Sequence, residues 1–114
     1  DFNRALELIS LITPESFMMK VHLRMIKARC LYENDDYETF LYERDSLNHF
    51  LKSSKSLSEK NILHLKDFFE KVNRMFRLKK NFEGSEYKKM KEEILSNVNY
   101  PVWMREKFAI SNER

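Results

Sequence analysis

Apolar residues recur along this chain with the pitch of a helix, most clearly between Pro14 and Leu51. Met19, Leu23, Ile26 and Cys30 come at steps of 4, 3 and 4, which lines one face at about 3.6 residues per turn. Met18, Val21, Met25, Ala28 and Tyr32 make a second stripe beside it. Two adjoining stripes are too wide for one neighbour, so this helix is expected to be contacted from two sides, leaving Lys20, Arg24 and Lys27 on its narrow polar flank. Pro14 suits a first turn, where its missing N–H would lack a partner anyway. Glu15 complements the positive end of the helix dipole. Asn34-Asp35-Asp36 then predicts an elbow, because short polar side chains compete with the helical ladder and either Asp can cap the next helix. In that helix Tyr37, Phe40, Leu41, Leu47 and Leu51 share a face interrupted by Arg44, whose stem packs while its head reaches water or lines a groove.

The same reading extends along the chain. Phe2, Ala5, Leu6, Ile9 and Ile12 predict a helix over the first dozen residues. Lys52 to Lys55 reads as a linker, and Ser56-Leu57-Ser58-Glu59 as a capping box. The helix it opens carries Ile62, Leu65, Phe69, Val72 and Phe76, flanked by Phe68 and Met75, and is expected to reach about Lys80, where cations suit the dipole. Asn81 to Gly84 breaks the pattern, with Ser85 the expected cap of a helix bearing Tyr87, Met90, Ile94, Leu95 and Val98. A turn over Asn97 to Tyr100 leads to Pro101 at a first helical position and a short helix with Val102, Trp103, Met104 and Phe108. Ser111 to Arg114 is expected to fray. The chain is therefore expected to be all-α, with five or six antiparallel helices in a single domain over residues 1–114.

Composition supports helices and restricts the chemistry. One Gly and two Pro in 114 residues leave few turn formers for a many-stranded sheet. The single cysteine, Cys30, excludes an internal disulfide framework and fits a reducing, cytoplasmic compartment, where a thiol in an apolar stripe packs as a small hydrophobe. No run of about twenty apolar residues predicts a membrane span. The chain opens on Asp1 rather than Met, which is expected of the C-terminal part of a longer protein. Charge is unevenly spread: residues 1–56 hold 8 basic and 9 acidic groups, residues 57–114 hold 13 and 9.

Asp1-Phe2 followed by Ala5-Leu6 is matched 35 residues later by Asp36-Tyr37 followed by Phe40-Leu41. A period near 34 marks helix–turn–helix repeats. The run from Ala28 to Tyr37 resembles the inter-helix elbow of a tetratricopeptide repeat, with Ala28 at the small crossing position, Asp36-Tyr37 at the turn, and Ala5 at the small position of the preceding repeat. It departs where Phe40 and Leu47 replace the family's alanines, where Asp35 replaces its turn glycine, and where Pro14 comes early for its terminal proline. The bulky replacements imply a divergent repeat with wider helix spacing. The resemblance covers about residues 1–54, leaving 56–110 as capping helices, and the whole chain is similar to helical-repeat proteins of bacteria. It implies a short right-handed superhelix and no established activity.

Candidate chemistry is sparse. His22, His49 and His64 have no histidine three or four residues away and no zinc-ligand spacing; His22, beside the second stripe, is expected in a hydrogen-bonded packing role. Asp35-Asp36 is explained by turn chemistry and Glu92-Glu93 by a solvated face. A glycine-rich phosphate loop needs more than one Gly. No catalytic, metal or cofactor site is expected, and the serines lack a local histidine partner. Stacked helix pairs leave a groove able to hold a peptide, so the expected function is protein–protein interaction or scaffolding. Lys20, Arg24, Lys27 and Arg44 are the candidate groove residues, facing a partner's acidic groups. Trp103 either closes the helical stack or anchors a partner. The alternative is a nucleic-acid-associated domain using Arg74, Arg77, Lys79, Lys80, Lys88, Lys89 and Lys91, with Phe82 or Tyr87 stacking on bases and Glu83 and Glu86 diluting the field. A third reading is a structural cap of a longer repeat protein, with self-association through Phe2 and Ile9.

Overall fold

Three short polar residues turn the chain between its second and third helices. In the computed structural model, which describes residues 1–14, 16–53, 58–79 and 84–111, Asn34 ends the second helix and Asp35 takes a left-handed φ of 56°. The Asp36 amide donates to the Leu31 carbonyl at 2.9 Å and the Asp35 amide to the Tyr32 carbonyl at 3.1 Å. These two bonds close a Schellman turn, a site usually given to glycine and tolerated by aspartate better than by most residues. Asp36 then caps the third helix, its Oδ1 accepting from the Thr39 amide at 3.1 Å.

The helices are α1 (Phe2–Leu11), α2 (Phe17–Glu33), α3 (Tyr37–Ser53), α4 (Glu59–Leu78), α5 (Ser85–Ser96) and α6 (Val102–Ser111). Every regular element among the described residues is helical. By contact the chain divides into two compact units, Asp1–Phe76 and Arg77–Arg114.

In the first unit, α2 is held from both sides. α1 runs antiparallel to it: Asn34 donates to Asn3 at 2.9 Å near one end, and Arg29 lies 5.6 Å over the Phe2 ring. α3 returns along another flank, stacking Phe50 on Phe17 at 4.9 Å and bringing Ser46 beside Arg24. The face of α2 that buries most deeply is Val21, Ala28 and Leu31, with Cys30 buried separately. Ala28 is fully covered, and its short side chain lets a neighbouring helix approach. The two-stripe expectation needs correction here. Ile26 and Met18 are about half exposed, at 48% and 49%, whereas Leu31, outside both stripes, is buried. The inward line runs Val21, Arg24, Ala28, Leu31, and the arginine within it disguises the apolar face.

α4 joins α2 and α3 through aromatic rings. Phe40, 0% exposed, sits 5.9 Å from Phe69 and 5.1 Å from Phe76, and Tyr32 meets Phe76 edge-on at 5.2 Å. The Tyr37 hydroxyl donates to Asn73 Oδ1 at 2.6 Å, satisfying an amide that α4 buries; such a bond contributes about 1 kcal/mol net. Ser58 caps α4, its Oγ accepting from the Asn61 amide at 3.2 Å. The expected linker begins later than Lys52, since Lys52 and Ser53 still belong to α3; its residues 54 and 55 lie outside the described residues, as do the expected capping serine, Ser56, and Glu15, Lys80, Phe82 and the last three residues.

α1 buries none of its residues fully. Phe2, Ala5, Leu6 and Ile9 are half-buried, but Ile12 ends the helix at 41% exposure, and Leu8 and Leu11 turn outward at 46% and 77%. Both helices that start 35 residues apart are capped by the matched aspartates, Asp1 accepting from the Asn3 amide at 3.0 Å much as Asp36 serves Thr39.

The second unit is built on the α5–α6 hairpin. Tyr87, Met90, Ile94, Tyr100, Met104 and Phe108 are buried, with Tyr87 and Phe108 rings 5.4 Å apart. Asn97 turns the chain, its carbonyl accepting from the Tyr100 amide at 3.2 Å and its Oδ1 from the Asn99 amide at 2.9 Å. Two expectations fail locally. Gly84, not Ser85, occupies the cap of α5 and offers no side-chain bond, and Val98 falls past the helix end, 78% exposed.

Candidate functional site

Along one flank of α2, Lys20, Leu23, Arg24 and Lys27 come within two turns of each other. Together with Ile9 of α1, Pro14, and Glu43, Ser46 and Phe50 of α3 they line an open groove of about 500 Å³. The groove lies where α1 and α3 both approach α2, with Leu23, Arg24 and Lys27 half-buried along it.

Arg24 is the best-fixed of the three cations. Its guanidinium lies 4.6 Å over the Phe50 ring, donates to Ser46 Oγ at 3.3 Å, and stands 3.9 Å from Glu43. Phe50 is in turn held by its stack on Phe17. A planar cation set on an aromatic face keeps its outer N–H groups aimed and loses little freedom on accepting an anion. Lys27 pairs with Glu43 at 2.6 Å, and Lys20, also in the lining, is exposed. Among the described residues, three cationic side chains against one carboxylate give the groove an excess of two positive charges. Leu23, Ile9, Pro14 and Phe50 supply half-buried apolar surface between those charges.

Of the residues proposed from sequence, Lys20, Arg24 and Lys27 are therefore brought together, and two are not. Arg44 lines a separate depression between α3 and α4, with Asp45, Asn48, Lys66, Phe69 and Glu70, where cations and carboxylates balance. One residue after Glu43, it is turned about 100° around the helix. Trp103 belongs to the second unit, half-buried on α6. Glu43, Ser46 and Phe50 were missed. Their signal was nonetheless present: Lys27 and Glu43 each stand eight residues from Asp35, and Arg24 and Ser46 each eleven. Folding the sequence back at its left-handed residue pairs them.

The basic cluster of the alternative reading is differently placed. Arg77, Lys88 and Lys89 are exposed, Arg74, Lys79 and Lys91 half-buried, and Lys80 and Phe82 lie outside the described residues. Tyr87 is 7% exposed and packed on Phe108, so its ring is not presented for stacking on a base.

Elsewhere the chemistry is ordinary. Cys30 is buried, and desolvation pushes its thiol above the usual 9.0, with Arg29 opposing and Glu33 adding. His49 and His64 are exposed, and so is His22, which corrects the packing role expected for it. Among the described residues no group of three or more His, Cys, Asp or Glu side chains is placed to hold a metal ion. No described helix is long and apolar enough to cross a membrane. No family model matches the chain, and comparison with curated proteins and with solved structures gives no significant match.

Proposed function

We propose that this chain is a non-catalytic protein-interaction module whose α1–α3 groove holds an acidic segment of a partner protein. The observation that carries this reading is the prearranged Arg24, seated on Phe50 between Lys20 and Lys27 in a groove with surplus positive charge. Lys20 and Lys27 are seven residues apart, about 10 Å along the helix at 1.5 Å per residue. An extended peptide covers that span in about three residues at 3.3 Å each, so acidic side chains two or three positions apart reach both ends. Apolar residues among them meet Leu23, Ile9 and Phe50. The repeat-like architecture belongs to the same proposal: the 35-residue offset, the paired aspartate caps and the small Ala28 support a tetratricopeptide-like stacking of helix pairs into a superhelix.

The test is direct binding. A fluorescein-labelled peptide of glutamate and leucine is expected to raise its anisotropy on titration with the protein, with a Kd at or below tens of micromolar. The lysine–leucine counterpart is expected to stay unbound. Equal binding of both peptides, or of neither at several hundred micromolar, overturns the proposal.

A further inference from the structure

Among the described residues Glu43 is the one carboxylate lining the groove, and it does two things. It takes the Lys27 ammonium at 2.6 Å and stands 3.9 Å from the Arg24 guanidinium. It is also well placed to keep doing so, since its side chain is only 21% exposed while that of Lys27 is 36% exposed. The two cations most central to the groove thus already share an anion of the protein's own. Resting on the reading of the groove as a site for an acidic segment, we infer that Glu43 is an internal stand-in for the ligand's carboxylate, and that binding exchanges one for the other at Lys27.

Two consequences define the partner. First, a neutral polar peptide does not bind, because an amide or hydroxyl gives Lys27 a weaker bond than the charge-assisted one it would have to surrender. The partner segment therefore brings a carboxylate or an equivalent anion. Second, the pairing the ligand gains at Lys27 is offset by the pairing Glu43 gives up. Affinity in the unaltered protein is thereby lowered, and the groove selects strongly for charge while holding its ligand only moderately. Lys20, the exposed cation of the lining, supplies the first attraction, and Arg24 remains on Phe50 throughout and turns its outer N–H groups to the incoming group. Besides the 3.9 Å approach of Glu43, the Arg24 guanidinium has only its 3.3 Å bond to the exposed Ser46 hydroxyl to exchange for this, among the contacts described above.

Glu43→Gln keeps the side chain's size and removes its charge. It is expected to tighten binding of the glutamate–leucine peptide about tenfold, a change of about 1.4 kcal/mol, and to let a glutamine–leucine peptide bind detectably. Removing any nearby negative charge helps an acidic ligand a little, so Asp45→Asn serves as the comparison. Asp45 is exposed on the same helix and lines the other depression; its substitution is expected to change affinity less than twofold. Unchanged or weaker binding by the Glu43→Gln protein overturns the exchange, and so does an equal gain from Asp45→Asn. In either case a glutamate–leucine peptide that still binds the unaltered protein leaves the groove reading standing. A peptide that binds neither protein removes both.

Discussion

Phe40→Ala is expected to cost the first unit about 3–5 kcal/mol, the range for emptying a buried phenylalanine site. Phe40 is 0% exposed and its ring lies against Tyr37, Phe69 and Phe76. No smaller side chain fills the space between α3 and α4, because the residues around it are themselves rings whose positions are fixed by one another. At about 4 °C per kcal/mol, thermal unfolding is expected to move down by about 12–20 °C. Tyr42→Ala, two residues on but 69% exposed, is expected to shift stability by less than about 0.5 kcal/mol. The comparison has a second use. If the proposed tetratricopeptide-like repeat were packed as closely as that family's alanine at the resembling position implies, Phe40→Ala would cost little. Calorimetry or urea unfolding showing a loss below about 1 kcal/mol would mean that α4 is not held by this aromatic cluster.

The largest effect on binding is expected from Arg24→Glu. It removes the cation seated on Phe50, takes away the donor to Ser46, and sets a second carboxylate beside Glu43. Affinity for the glutamate–leucine peptide is expected to fall at least about 30-fold, equivalent to about 2 kcal/mol and typical of an interface hot spot. The helical circular dichroism is expected to be unchanged, since the residue is not part of the aromatic cluster. Arg44→Glu, equal in charge change, is expected to alter affinity less than about twofold, because Arg44 lines the other depression. Equal losses from the two substitutions would point to overall charge rather than to the groove.

These two residues show what the sequence carries and what it does not. Helix content, the elbow and the faces of α3 and α4 come from periodicity and short polar residues, both local properties. Phe40, Leu47 and Leu51 are buried where the pattern puts them. The face of α2 was harder to read, because an arginine half-buried on phenylalanine interrupts the apolar line that ends at Leu31. Helix starts were set by whichever side chain met the free amides, Ser58 for α4 and none for α5, a matter of one or two residues that composition does not decide. Arg24, on the polar flank of its helix, and Arg44, interrupting an apolar stripe, are both groove candidates in the sequence. Only the return of α3 along α2 separates them, by placing Glu43, Ser46 and Phe50 on one side and Arg44 on the other. On α1 the pattern is local and legible: Leu8 and Leu11, outside the stripe read from the sequence, are exposed, away from the half-buried line of Phe2, Ala5, Leu6 and Ile9.

The proposed function depends on an anion-bearing segment lying along α2 between α1 and α3. Titration of the isotope-labelled protein with the glutamate–leucine peptide, followed by amide and arginine side-chain nuclear magnetic resonance, reads this position by position. The largest shifts are expected at Leu23, Arg24, Lys27, Ser46 and Phe50, including the Arg24 side chain, with Arg44 and Trp103 unmoved. Shifts concentrated on α5 and α6, or around Arg44 and Glu70, would contradict the account.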